Sequence, residues 1–189
     1  EFKLNCFTLY TENTFKSQHY HYAPDDGLSA EEIRELEAYA RQYYVELIGN
    51  QQCFAHFEKI LALPEYAHLA DSKCNLDPSN PATYDFLKTI LDEETACYSS
   101  PFFNINCDET EQLGSGKAEK YVKKVGASEA YSRHIIWLHD FLASRQKTTL
   151  MWADIVLKDK KIIDKLPKDI QMLVWSYAPS EEFRSMIRP

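Results

Sequence analysis

Two neighbouring carboxylates, Asp108 and Glu109, sit inside the run FFNINCDETEQLGSG at Phe102 to Gly116. The run opens as a strand and leads into a glycine-bearing loop, so the pair falls at a strand's carboxyl end. At the mouth of a cleft such a pair could do general acid–base chemistry. On a solvated turn the same pair would do no chemistry, so its meaning depends on what the fold brings beside it. Corresponding tips elsewhere hold Glu12, then Asn50, Gln51 and Gln52, then Trp152 with Asp154, and then Trp175 with Tyr177.

These tips need strands to carry them. Leu4 to Tyr10, Val45 to Ile48, Phe102 to Cys107, Thr148 to Ile155 and Ile170 to Tyr177 read as five strands. Helices are expected between them. Ser29 with Glu32 forms a capping box that starts one running to about Tyr43, and Asn80 with Pro81 starts another through Leu87, Ile90 and Leu91. Ser128 is expected to open a third, with Ile135, Leu138, His139 and Leu142 on one face, and Ser180 a last one burying Phe183 and Met186.

Strands alternating with helices imply a parallel α/β sheet. In an open sheet covered on both faces the strands are apolar throughout, whereas here one parity of each strand collects polar and aromatic groups. Period-two alternation places Asn104, Asn106 and Asp108 on one face and Phe103, Ile105 and Cys107 on the other. Cys107 should then face the helices and has no nucleophilic role. This is the pattern of a (β/α)8 TIM barrel, whose sites lie at the strands' carboxyl ends. Eight units take roughly 250 residues, so 189 residues are expected to form one partial barrel domain, 1–189, within a longer chain.

Composition removes other classes. A formal net charge of −8 with scattered basic residues argues against nucleic acid or an anionic membrane as partner. No apolar run approaches the ~20 residues that cross a bilayer. Five irregularly spaced cysteines imply neither a disulfide framework nor a CxxC site, and favour a reducing, cytoplasmic compartment. His19 and His21 lack further ligands at useful spacing, so no metal is expected. LGSGK at Leu113 to Lys117 lacks the upstream glycine and following hydroxyl of a phosphate loop.

FNINCDETEQLGSG resembles the strand-plus-Asp-Glu motif of glycoside hydrolase family 20, the β-N-acetylhexosaminidases, particularly its hexosaminidase D-like branch. LYTENTF, ELIGNQQCFAHFEKILALPEYAHL, MWADIV and MLVWSY resemble that branch's neighbouring strands in the same order, corresponding to barrel strands two to six. The resemblance implies release of terminal β-linked N-acetylhexosamine, GlcNAc or GalNAc, with retention, the substrate's own acetamido oxygen acting as nucleophile. It casts Asp108 and Glu109 as catalytic, and Trp152, Asp154, Trp175, Tyr177, His56 and Glu12 as substrate-binding or supporting. The implied partner is a carbohydrate, with no cofactor. Gln52 stands where many members carry an acid, and Asn104 and Asn106 where relatives more often show histidine and glycine. Asn106 is expected to add bulk below the pocket floor, and the alternative it opens is a catalytically inactive carbohydrate-binding barrel.

Overall fold

A computed structural model of the chain describes residues 3–177. The helix expected from Ser180, with Phe183 and Met186, lies outside the described residues. Five parallel strands, β1 (Cys6–Thr8), β2 (Glu46–Asn50), β3 (Phe102–Asn104), β4 (Thr148–Trp152) and β5 (Gln171–Leu173), lie side by side in chain order. The register runs Phe7 opposite Leu47, Gly49 opposite Phe103, Phe103 opposite Thr149 and Met151 opposite Met172. A doubly wound sheet reverses its strand order at a switch point. This one never does, and the arrangement is an arc of a TIM barrel.

Among the described residues six α-helices follow these strands: α1 (Ala30–Gln42), α2 (Glu58–Leu61), α3 (Pro81–Thr95), α4 (Glu119–Val125), α5 (Ala127–Ser144) and α6 (Asp154–Lys158). Both ends of the Ser29–Glu32 capping box are made, with Glu32 N–H donating to Ser29 Oγ at 3.2 Å and Ser29 N–H to Glu32 Oε2 at 2.8 Å. Asn80 Oδ1 accepts from the Ala82 N–H at 3.0 Å, and Pro81 fills the first turn of α3. Ser128 is not the start of α5: Gly126 precedes the helix and the Ser128 hydroxyl is turned to Asp159. Ile135, Leu138 and Leu142 are buried from α5 as expected, while His139 sits at the margin between Asp140 and Asp169.

The strands are shorter than the pattern suggested, for backbone reasons. Beyond β3, Asn106 (φ 58°) and Cys107 (φ 61°) are left-handed, which ends strict alternation, and Phe103 through Cys107 are all buried. Asp154 does not continue β4 but opens α6, and Trp175 and Tyr177 lie past the end of β5. The core lies between the sheet and helices α3 and α5, around Phe103, Ile105, Leu87, Ile90 and Ile135. Gly49 is required there, since a Cβ would fall 2.5 Å from the Phe103 ring and 2.6 Å from Tyr98.

The LGSGK loop has an internal occupant. Buried Asp71 accepts from the N–H groups of Gly114 (2.6 Å), Gly116 (3.1 Å) and Ala118 (2.8 Å). The amides that suggested an anion-binding loop are thus satisfied by a carboxylate of the same chain. The arrangement fixes the segment that follows Glu109.

Candidate active site

At the carboxyl ends of the strands a cleft of about 370 Å³ opens between Tyr10, Gln52, His56, Asp108, Glu109, Trp152, Trp175, Ser176 and Tyr177. A volume of this size lies in the range of small-molecule sites. His56 Nε2 lies 3.5 Å from Asp108 Oδ2 and 3.4 Å from Glu109 Oε2, so one imidazole faces both carboxylates. Gln52 Nε2 donates to Asp108 Oδ1 at 3.0 Å and reaches the Tyr10 hydroxyl at 3.3 Å.

Burial alone would push the Asp108 carboxyl up, but hydrogen bonds from His56 and Gln52 more than offset it and hold the group below the usual carboxylate range. Reciprocally, the hydrogen bond to Asp108 raises the His56 pKa despite partial burial. The result is an ionised Asp108 in a half-buried position. Glu109 reaches further into solvent, its side chain 50% exposed against 15% for Asp108. Its backbone N–H donates to Asp154 Oδ2 at 3.1 Å. Asp154, whose pKa burial raises, therefore braces the Glu109 backbone and does not line the cleft.

The backbone here is unusual in a concentrated way. His56 (φ 62°), Asn106 (φ 58°), Cys107 (φ 61°) and Glu109 (φ 51°) are all left-handed. Asparagine tolerates this conformation, but for the others it costs on the order of 1–3 kcal/mol each, which the surrounding packing must sustain. Such strain gathers where side-chain direction matters more than local stability.

Trp152 forms one wall, its Nε1–H donating to Asn106 Oδ1 at 2.9 Å. Trp175 and Tyr177 meet edge to face with centroids 5.2 Å apart, and the Trp175 indole N–H is buried with no protein partner among the described residues. Tyr177 itself is 97% exposed at the rim. Glu12 is not brought to the cleft: its carboxylate pairs with Lys59 Nζ at 3.5 Å. Asn106 does not narrow the site, because its buried side chain is turned toward Asn50. Sequence reasoning missed Tyr10. Its place just before Thr11, at the first strand tip, was the available signal, and burial pushes its phenol up to about 12, keeping it a donor.

An in-order parallel sheet with acids and aromatics at its carboxyl ends places the chain among the (β/α)8 barrels that carry their sites there. It is 25% identical over 161 residues to hexosaminidase D of Bos taurus, covering 79% of this chain and 46% of that protein. It is 28% identical over 163 residues to a β-hexosaminidase of Vibrio furnissii, covering 77% of this chain and 26% of the relative. Among solved structures it is similar to the Flavobacterium johnsoniae chitobiase, with TM-score 0.76 at 22% identity over 93% of this chain and 29% of that one. It is also similar to an exo-β-N-acetylglucosaminidase of Vibrio harveyi in complex with N-acetylglucosamine, with TM-score 0.73 at 19% identity, covering 95% and 34%. The chain belongs to glycosyl hydrolase family 20, whose catalytic-domain model matches residues 9–188. It spans less than half the length of these curated relatives.

Proposed function

We propose that the barrel to which this arc contributes hydrolyses terminal β-linked N-acetylhexosaminides with retention of configuration, the 2-acetamido group of the substrate acting as nucleophile. The observation that carries this reading is the Asp108–Glu109 pair gathered around His56 Nε2, with no other carboxylate lining the cleft among the described residues. Retention with a protein nucleophile takes two carboxyl groups about 5 Å apart on opposite sides of the sugar. Adjacent residues at one strand end do not straddle it, so a nucleophile must come from elsewhere, and membership of family 20 implies that it comes from the substrate.

The steps balance on this chain's residues. The acetamido oxygen attacks the anomeric carbon as the glycosidic C–O bond breaks, and Glu109 gives its proton to the leaving oxygen. Ionised Asp108 accepts the acetamido N–H and offsets the positive charge of the cyclic oxazolinium. Glu109, now a carboxylate, takes a proton from water that attacks the same carbon and reopens the ring. Two inversions give retention. Trp152 and Trp175 supply apolar faces for the sugar and the acetamido methyl.

The test is hydrolysis of an aryl β-N-acetylglucosaminide and of the matching β-glucoside by a protein bearing the complete barrel. Turnover of the first alone supports the proposal. Comparable turnover of both, or of neither by a folded protein, overturns it.

A further inference from the structure

Three strand tips are tied together beneath the cleft by a closed set of side-chain hydrogen bonds. Asn106 Nδ2 donates to Asn50 Oδ1 at 2.7 Å, and Asn50 Nδ2 donates back to Asn106 Oδ1 at 3.1 Å. The same Asn106 oxygen accepts from Trp152 Nε1 at 2.9 Å. A backbone bond runs parallel to it, Trp152 N–H to the Asn106 carbonyl at 3.1 Å. Asn50 and Asn106 are 1% and 0% exposed, and Asn106 N–H is itself capped by Asn104 Oδ1 at 2.9 Å.

Each partner constrains the next. The reciprocal amide pair leaves Asn106 a single orientation, with its oxygen directed to both donors. The indole is then held through its nitrogen as well as its backbone. With that N–H used internally, Trp152 offers the cleft ring surface and no hydrogen-bond donor.

We propose that Asn106, backed by Asn50, is a positioning residue that fixes Trp152 as a rigid apolar wall and so biases the cleft toward a ligand with an apolar face or methyl at that point. For the acetamido-bearing sugar this rests on the function proposed above, whereas the clamp itself does not. A pre-oriented ring binds without first losing rotamer freedom, so loosening it weakens ground-state binding more than the chemical step.

The left-handed φ of Asn106 makes the test clean, because glycine adopts that backbone freely and Asn106→Gly removes only the side chain. The protein bearing the complete barrel is prepared as wild type, Asn106→Gly, Trp152→Phe and the double variant. KM and kcat are measured on the aryl β-N-acetylglucosaminide, together with tryptophan emission and its response to N-acetylglucosamine. Loss of one net hydrogen bond corresponds to roughly a 3- to 10-fold rise in KM for Asn106→Gly, with a smaller change in kcat. Emission should shift in Asn106→Gly and not in the Trp152→Phe background, where the added glycine should change KM by less than about twofold. An unchanged KM, independent multiplication of the two effects, or an emission change that persists without Trp152 overturns the clamp. If Asn106→Gly does not fold, Asn50→Ala must show the same Trp152-dependent emission shift, and its failure to do so also overturns the proposal. Absence of turnover in every form counts against the hydrolase reading, while the emission arm still decides the clamp.

Discussion

Glu94 makes the sharpest stability prediction. It lies on α3 fully buried, with Oε1 2.9 Å from Thr11 Oγ1 and Oε2 without a partner among the described residues. Thr11 Oγ1 also stands 2.6 Å from the Asn50 carbonyl. One hydroxyl proton serves only one of these acceptors, whereas a protonated Glu94 donates to Thr11 Oγ1 and frees Thr11 to donate to Asn50. Burial, opposed in part by Thr11, pushes the Glu94 pKa from 4.5 to about 8. The folded protein therefore holds a proton that the unfolded chain has lost. Its contribution is fully present below about pH 4.5, declines as pH rises through the window and levels off above about pH 8. At ~1.4 kcal/mol per pH unit, the interval from 4.5 to about 8 sets a ceiling of about 5 kcal/mol. Glu94→Gln keeps the shape without the titration. Urea unfolding at pH 5, 7 and 9 should show the variant slightly less stable at pH 5, by about 1 kcal/mol, and more stable than wild type at pH 9. Stabilities that run parallel across that range would refute the reasoning.

Gly49→Ala should destabilise the fold by about 1–3 kcal/mol through overpacking against Phe103 and Tyr98, read as a lowered urea midpoint. Asp71→Ala should cost about 2–4 kcal/mol, since three backbone donors lose a charged acceptor, and limited proteolysis should cut within residues 111–118 faster than in wild type. Proton NMR should find His56 titrating above 6.5, and Asp108→Asn should lower that midpoint because the principal raising contact is gone. The signs differ across the pair. The His56 contribution is present below 6.5 and lost as pH rises through its raised folded pKa, while that of Asp108 is present above 3.8 and lost as pH falls through its lowered one.

The strand order and the carboxylate pair were legible because period-two and capping signals are local: Ser29, Asn80 and the run to Asn104 behave as their residue types dictate. What local pattern did not reveal came from long-range contacts. Strand parity runs on to Asp154, yet the chain turns helical there and its carboxylate accepts from the Glu109 N–H. Asp71 lies forty-three residues before Gly114, so nothing in LGSGK discloses that its amides are already occupied. Strand parity makes Asn106 bulk below the pocket floor. Its left-handed backbone turns the side chain toward Asn50 and Trp152 instead. Glu12 fits a strand-tip pattern, but Lys59 draws it away.

The central claim, that Glu109 is the general acid, is tested most directly by comparing leaving groups. Wild type and Glu109→Gln, in the complete barrel, are assayed on β-N-acetylglucosaminides carrying either an alkyl or a dinitrophenyl aglycone. The alkyl leaving oxygen requires protonation and the dinitrophenolate does not. Read as kcat/KM, which reports the steps up to departure of the aglycone and not the later attack of water, the loss should be roughly 10²–10⁴-fold on the alkyl substrate and far smaller on the dinitrophenyl one. An equal loss on both would contradict the claim.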